Sequence, residues 1–163
     1  MKINYYGFKA IYFHEKYRFR RTLGQSLLSP VISTSLYFIV FGSVIGGYVQ
    51  KIDGISYGSF IVPGLLMLTL LTQSISNTSF GIFFPKFNGT IYEILAAPIS
   101  AYEIVLAFVS AGATKTLIVG FVIFLTAQFF ADVQVQYPLL MIFLLVLVSF
   151  TFALFGFLVG LIS

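Results

Sequence analysis

Long uncharged stretches alternate with short charged segments along this chain. After a charged leader that ends at Arg21, no Asp, Glu, Lys or Arg occurs before Lys51, and a second charge-free stretch covers residues 58–85. A helix of about 20 apolar residues is long enough to cross the hydrocarbon core of a bilayer. The pattern therefore predicts four membrane spans, at residues 31–49, 58–84, 101–131 and 138–163.

A polar passage between the second and third spans holds two helix-start signals. Thr90 stands three residues before Glu93, and Ser100 stands three residues before Glu103. This spacing is typical of a capping box, in which hydroxyl and carboxylate satisfy the free N–H groups of a helix start. Pro98 separates the two boxes and limits the first helix to about two turns. A short capped helix is predicted here; a connecting loop with two chance matches is the alternative.

The leader, residues 1–29, predicts a basic interfacial helix followed by a lead-in to the first span. A helical projection places aromatic side chains on one face and a stripe of cations beside it, as in helices that lie at headgroup depth. Glu15 is the exception, because it projects onto the apolar face. A solvated leader that only sets topology is the alternative. The residues expected to contact lipid are Phe8, Lys9, Tyr12, Lys16, Phe19 and Arg20.

Composition supports an all-α, polytopic membrane protein that forms a single transmembrane domain over residues 1–163. Hydrophobic residues make up 59% of the chain and charged residues 9%, far below the roughly 25% charged residues of soluble domains. Most of the Lys and Arg residues precede residue 22, and Lys86 lies between spans two and three. By the positive-inside rule, the N-terminus and that passage are expected to be cytoplasmic. This clustering favours contact with lipid over binding of nucleic acid.

Two spans carry polar residues that need partners. Gln73, Asn77 and Gly81 recur at four-residue spacing in span two and so share one face, which either lines a pathway or fastens helices together. In span three, Lys115 lies about one turn inside the expected boundary. It either extends to the cytoplasmic headgroups or meets an anionic substrate in a pathway.

Small residues at four-residue spacing mark helix faces that can pack closely. Gly42 and Gly46 form such a pair in the first span, and Gly112, Thr116 and Gly120 form a stripe in the third. These patterns predict close helix contacts within the membrane.

The sequence offers little that could support catalysis. It has no phosphate-binding Gly-x-x-x-x-Gly-Lys-Ser/Thr loop, no Cys and only one His, His14 in the leader. Any ATP hydrolysis is therefore expected in a partner, and no cofactor or metal is expected. A membrane enzyme would need converging acids, bases or ligands, whereas the carboxylates here have local explanations. A non-transporting four-span scaffold fits the hydropathy equally well.

Two segments resemble the type-2 ATP-binding-cassette exporter permeases. Residues 18–32 read RFRRTLGQSLLSPVI and resemble their opening; residues 87–100 read FNGTIYEILAAPIS and resemble their first cytoplasmic loop. The resemblance covers the whole chain. It implies a plasma-membrane protein of a bacterium or archaeon with six spans, a cytoplasmic coupling helix, and a permease dimer served by two nucleotide-binding subunits. Since four spans are predicted, we expect this chain to be the N-terminal part of a longer permease.

The resemblance makes residues 85–100 the expected coupling segment. A rigid short helix would transmit a displacement that a flexible loop would absorb. Its apolar residues are too few to be buried by the helix itself, so we expect them to fill a partner's groove or to pack on the membrane surface. The expected contacts with the ATPase are Phe87, Thr90, Ile91, Tyr92, Glu93, Ile94 and Leu95.

Overall fold

The computed structural model describes residues 4–41, 51–52, 54–131, 133 and 135–163. Within these ranges the protein is helical apart from one pair of two-residue strands, so the predicted all-α membrane fold is confirmed. Among the described residues, three helices are long and apolar enough to cross a membrane: Tyr57–Phe87, Ala101–Phe130 and Pro138–Ile162. The elements in chain order are α1 Tyr5–Arg21, α2 Leu23–Ile39, β1 Lys51–Ile52, β2 Ile55–Ser56, α3 Tyr57–Phe87, α4 Ile91–Ala96, α5 Ala101–Phe130 and α6 Pro138–Ile162.

Two helices pass through prolines at which the sequence predicted a boundary. Helix α2 begins at Leu23 and continues through Pro30, and α3 continues through Pro85 to Phe87, beyond the predicted end at residue 84. Membrane helices tolerate proline because neighbouring groups satisfy the carbonyl that loses its N–H partner. Residues 42–50 lie outside the described residues, and with them the second half of the predicted first span and its Gly42–Gly46 pair.

Helices α3, α5 and α6 pack against one another through small residues. A Cβ built on Gly156 of α6 would lie 2.5 Å from the carbonyl oxygen of Ile75 in α3, and one on Gly160 would lie 2.5 Å from that of Ser79. The two backbones are therefore in direct contact at both glycines. The Ser74 hydroxyl adds a hydrogen bond of 3.0 Å to the Ser149 carbonyl. This pair of glycines at four-residue spacing closes the contact between α3 and α6.

The small-residue stripe predicted on α5 is confirmed. Gly112 faces the hydroxyl of Thr78, and Thr116 between the two glycines is fully buried. A Cβ on Gly120 would lie 2.7 Å from Leu70 Cδ2, so α3 approaches α5 along the whole stripe. The result is a tight helix pair on which the remaining elements rest.

Candidate functional site: the short helix and the charged cavity

Helix α4 begins at Ile91, the residue at which the sequence predicted it, and it has two unlike sides. Ile91 and Ile94 are half-buried and pack against the core formed by α1, α3, α5 and α6. Tyr92 and Leu95 are 73% and 63% exposed, and Phe87 at the end of α3 is 78% exposed. The predicted contact set is thus divided. Its isoleucines hold α4 on the bundle, and its larger exposed side chains face outward.

The predicted capping box at Thr90 is wrong. The hydroxyl of Thr90 makes no capping hydrogen bond. The backbone carbonyl of Thr90 instead accepts hydrogen bonds from the N–H groups of Glu93, at 3.1 Å, and Ile94, at 3.4 Å. Thr90 has helical backbone angles, φ −62° and ψ −19°, whereas a capping side chain reaches its target from an extended backbone. The chain enters this first turn through Gly89 at φ +77°, a conformation that glycine adopts without steric cost.

The second capping box forms completely. Ser100 has an extended backbone, its hydroxyl accepts from the Glu103 N–H at 3.4 Å, and Glu103 Oε2 accepts from the Ser100 N–H at 2.8 Å. Glu103 is only 8% exposed. Helix α5 therefore starts from a fixed point directly after the short helix.

The carboxylate of Glu103 also ties α1 to this point. Its second oxygen, Oε1, accepts from the backbone N–H of Asn4, while Asn4 Nδ2 donates to the Pro98 carbonyl at 3.1 Å. Asn4 Oδ1 caps α1 by accepting from the Gly7 N–H at 3.2 Å. A Cβ on Gly7 would lie 2.7 Å from Ile99 Cγ1, so the two segments are in close contact. We call this contact between the start of α1 and the α4–α5 connection the junction. Nothing in the sequence spacing pointed to it, because Asn4 and Glu103 are 99 residues apart.

Part of the aromatic face of α1 packs on protein, so the predicted contact of Phe19 with lipid is wrong, whereas the expected lipid contacts of the half-buried Phe8 and Tyr12 stay predictions. Ile11 and Phe19 are buried, and Phe8 packs against the core. The Tyr12 hydroxyl donates to Thr114 Oγ1 of α5 at 3.2 Å. A helical projection shows which residues share a face but not what that face meets. The predicted cations Lys9, Lys16 and Arg20 are exposed.

A cavity of about 270 Å³ lies between α1, α3 and α5. It brings together residues that the sequence assigned to two separate sites, the interfacial helix and the pathway. Asn77 and Lys115 line it, as do several residues of α1. Gln73 accepts a hydrogen bond of 3.3 Å from Asn77 and supports it from the next turn. The lining residues are Tyr12, Glu15, Lys16, Arg18, Phe19, Arg20, Thr22, Leu23, Asn77, Gly81, Phe108, Ala111, Gly112, Thr114, Lys115 and Ile118.

Glu15, the residue that broke the amphipathic pattern, has a structural reason to face inward. Its side chain is 9% exposed, and its carboxylate forms a 2.7 Å salt bridge with Arg18. Burial raises the pKa of Glu15, and the positive charges of Arg18 and Lys115 act against that rise, as does the neighbouring His14. The i,i+3 spacing of Glu15 and Arg18 was the sequence signal for this pair, which holds a guanidinium at the wall of the cavity.

Comparison with known proteins decides the family. Residues 6–163 match the family described as ABC-2 type transporter. The chain belongs to that family. It is 36% identical over 160 residues to proteins named inner membrane transport permease YadH from Escherichia coli K12, Escherichia coli O157:H7 and Shigella flexneri. The match covers 98% of this chain and 62% of each relative. No solved structure matches the chain significantly.

In this ABC-2 family member, the described residues include no group of three or more His, Cys, Asp or Glu side chains that could hold a metal ion. The features that stand out are mechanical and electrostatic. They are the short helix α4, which is packed on the bundle by one side and exposed on the other, and the cavity between α1, α3 and α5, which is lined by several cations.

Proposed function

We propose that this chain is the transmembrane subunit of an ATP-binding-cassette exporter, and that it moves a substrate with energy from ATP hydrolysed by a separate subunit. It would work as a homodimer in a bacterial or archaeal plasma membrane, with its N-terminus and α4 in the cytoplasm. Its membership of the ABC-2 family supports a transport role, as do its relatives, which are named inner membrane transport permeases. The chain spans 62% of the length of those relatives, so the activity and the partners of the complete transporter belong to this proposal.

The two-sided packing of α4 is the observation that carries this proposal. Tyr92 and Leu95 offer large exposed side chains to a partner, and Ile91 and Ile94 on the other side press against the bundle. A force applied to the outer side would therefore move α4 as a unit. Because α4 is joined directly to α3 and α5, the displacement would reach both membrane helices. A flexible loop at the same place would lack this property.

The distribution of cations supports the proposed orientation. Six of the nine Lys and Arg residues precede residue 22, and Lys86 lies in the last turn of α3, at the end that leads to α4. Lys51 is the only Lys or Arg in the connections at the opposite end of the helices. Cytoplasmic connections of membrane proteins carry such an excess of positive charge, so α4 would face the compartment that holds ATP.

The test replaces Tyr92 by Ala in the full-length protein. Tyr102, which is 79% exposed at the start of α5, provides the matched control, because Tyr102→Ala removes an equally exposed ring outside α4. An aromatic anchor in a partner's pocket commonly costs about 2 kcal/mol or more when truncated, so we expect association with the ATPase to weaken about 30-fold or more. Pull-down of the ATPase and substrate-stimulated ATP hydrolysis measure the effect.

Tyr102→Ala should leave both readings unchanged. If Tyr92→Ala also leaves association and stimulation unchanged at normal membrane levels, α4 is an ordinary connection. The four-span scaffold without transport would then be the better description.

A further inference from the structure

The cavity between α1, α3 and α5 has an excess of positive charge. Among the described residues that line it, Lys16, Arg18, Arg20 and Lys115 are cationic and Glu15 is the one carboxylate. Glu15 is already occupied by its 2.7 Å salt bridge with Arg18. An anion that enters the cavity would therefore meet several cations and a single carboxylate that is already paired.

Lys115 is the cation of this group that is partly buried and forms no salt bridge among the described residues. Its ammonium lies 5.3 Å from the centre of the Phe19 ring, and no salt bridge reaches it within the part of the chain that the structure describes. It is partly buried on a membrane helix, where an uncompensated charge is costly. An anionic group bound in the cavity would supply the missing partner.

The cavity is lined by apolar as well as charged side chains. Leu23, Phe108 and Ile118 line it together with the cations. About 10–15 Å³ suffices for one water molecule, so a cavity of about 270 Å³ accepts a group much larger than a water or a small ion. A molecule with one anionic end and an apolar body matches both kinds of surface.

The depth of the cavity fits the headgroup level of a leaflet. Helix α5 has 30 residues and is about 45 Å long, about 15 Å more than the hydrocarbon core. If the excess lies on the side of α4, the hydrocarbon begins about one turn before Lys115. The ammonium then lies within reach of lipid phosphates and glycerol groups.

We propose that this cavity binds the phosphate headgroup of an anionic phospholipid from the leaflet on the side of α4. Lys115 and Arg18 hold the phosphate, Arg20 attracts it at the rim, and the apolar walls contact the upper part of the acyl chains. The bound lipid would join α1 to α5 and so stabilise the interfacial helix on the bundle. This inference does not depend on ATP-driven transport, and its test needs no ATPase.

The test compares full-length protein in nanodiscs of phosphatidylcholine with and without phosphatidylglycerol. Native mass spectrometry measures lipid retained by the protein, and thermal unfolding measures stabilisation. Wild type should retain phosphatidylglycerol selectively. Lys115→Gln should weaken that binding about tenfold, as loss of one charge-assisted contact implies, and Lys115→Arg should restore it.

Arg21→Gln is the matched control, because Arg21 is an exposed cation of α1, the helix that also carries Arg18 and Arg20, and it does not line the cavity. Arg20→Gln provides a second test that does not threaten folding, since Arg20 is exposed, and it should weaken binding about threefold, as loss of an exposed ionic contact implies. A separate arm adds inorganic phosphate to protein in phosphatidylcholine alone and should give no stabilisation.

Three results would overturn the proposal. Equal loss in Arg21→Gln and in the cavity variants would indicate diffuse surface attraction. Stabilisation by inorganic phosphate alone would indicate a site for a free anion. Equal retention of both lipids by wild type would show that the cavity does not select an anionic headgroup.

Discussion

Thr90 and Ser100 each precede a glutamate by three residues, yet only Ser100 caps a helix. The difference lies in the backbone, since Ser100 is extended at ψ 151° and Thr90 is already helical at ψ −19°. The turn at Gly89 comes directly before Thr90, which therefore begins the helix in a helical backbone conformation. A motif of residue types thus identifies where a helix can start, and the preceding turn decides whether the side chain takes part.

This difference predicts unequal effects of two similar substitutions. Ser100→Ala should lower the free energy of unfolding by about 1 kcal/mol, because it removes a formed cap. Thr90→Ala should change it by less than about 0.5 kcal/mol, as for surface substitutions that break no cap. Thermal or denaturant unfolding of the purified variants measures both. Equal losses in the two variants would contradict the assignment of the caps.

At the scale of elements, the junction joins α1, α4 and α5 through one carboxylate. Glu103 accepts from Ser100 with one oxygen and from Asn4 with the other. A movement of α4 would therefore reach α1 as well as the two membrane helices that flank it. Under the proposed function, α1 would then move together with α4 instead of acting as a separate membrane anchor.

Glu103→Gln tests whether both carboxylate oxygens are needed. A glutamine offers one acceptor oxygen and one NH₂ donor, so one of the two backbone N–H groups must lose its partner. We expect faster hydrogen exchange at the start of α1, measured by mass spectrometry. Glu93→Gln is the control, because Glu93 is exposed on α4 and no side-chain hydrogen bond of its own supports the junction. Unchanged exchange in Glu103→Gln would show that the tie does not hold α1.

At the scale of the whole molecule, periodicity and composition predicted the helices but not their partners. The alternation of charged and apolar stretches reflects the free energy of transferring each segment into lipid. That free energy depends on the composition of the segment alone, so the helices could be predicted from the sequence. The burial of Phe19 against α5, and the meeting of Glu15 with Lys115 in one cavity, depend on segments about 100 residues apart. The close contact at Gly156 and Gly160 was visible as a spacing, but glycines are frequent in membrane helices and the spacing alone did not single it out.

The proposed orientation, with α4 in the cytoplasm, predicts an unequal labelling pattern. The chain has no cysteine, so each introduced thiol reports on one position. Gln136→Cys, in the exposed connection before α6, should react with an impermeant thiol reagent added outside intact cells. Asn88→Cys, next to α4, should react only after the membrane is permeabilised. The reverse pattern would place α4 outside the cell and remove it from any contact with an ATPase.

Cross-linking from α4 tests the central claim most directly, because it asks whether the outward side of this helix touches the ATPase. A photoreactive thiol probe is attached to Tyr92→Cys or to Ile94→Cys in the complex with the ATPase. The exposed position 92 should cross-link to the ATPase, and the half-buried position 94 should give little or none. No cross-link from position 92, or equal cross-linking from both positions, would contradict a two-sided helix that carries force from an ATPase into the membrane.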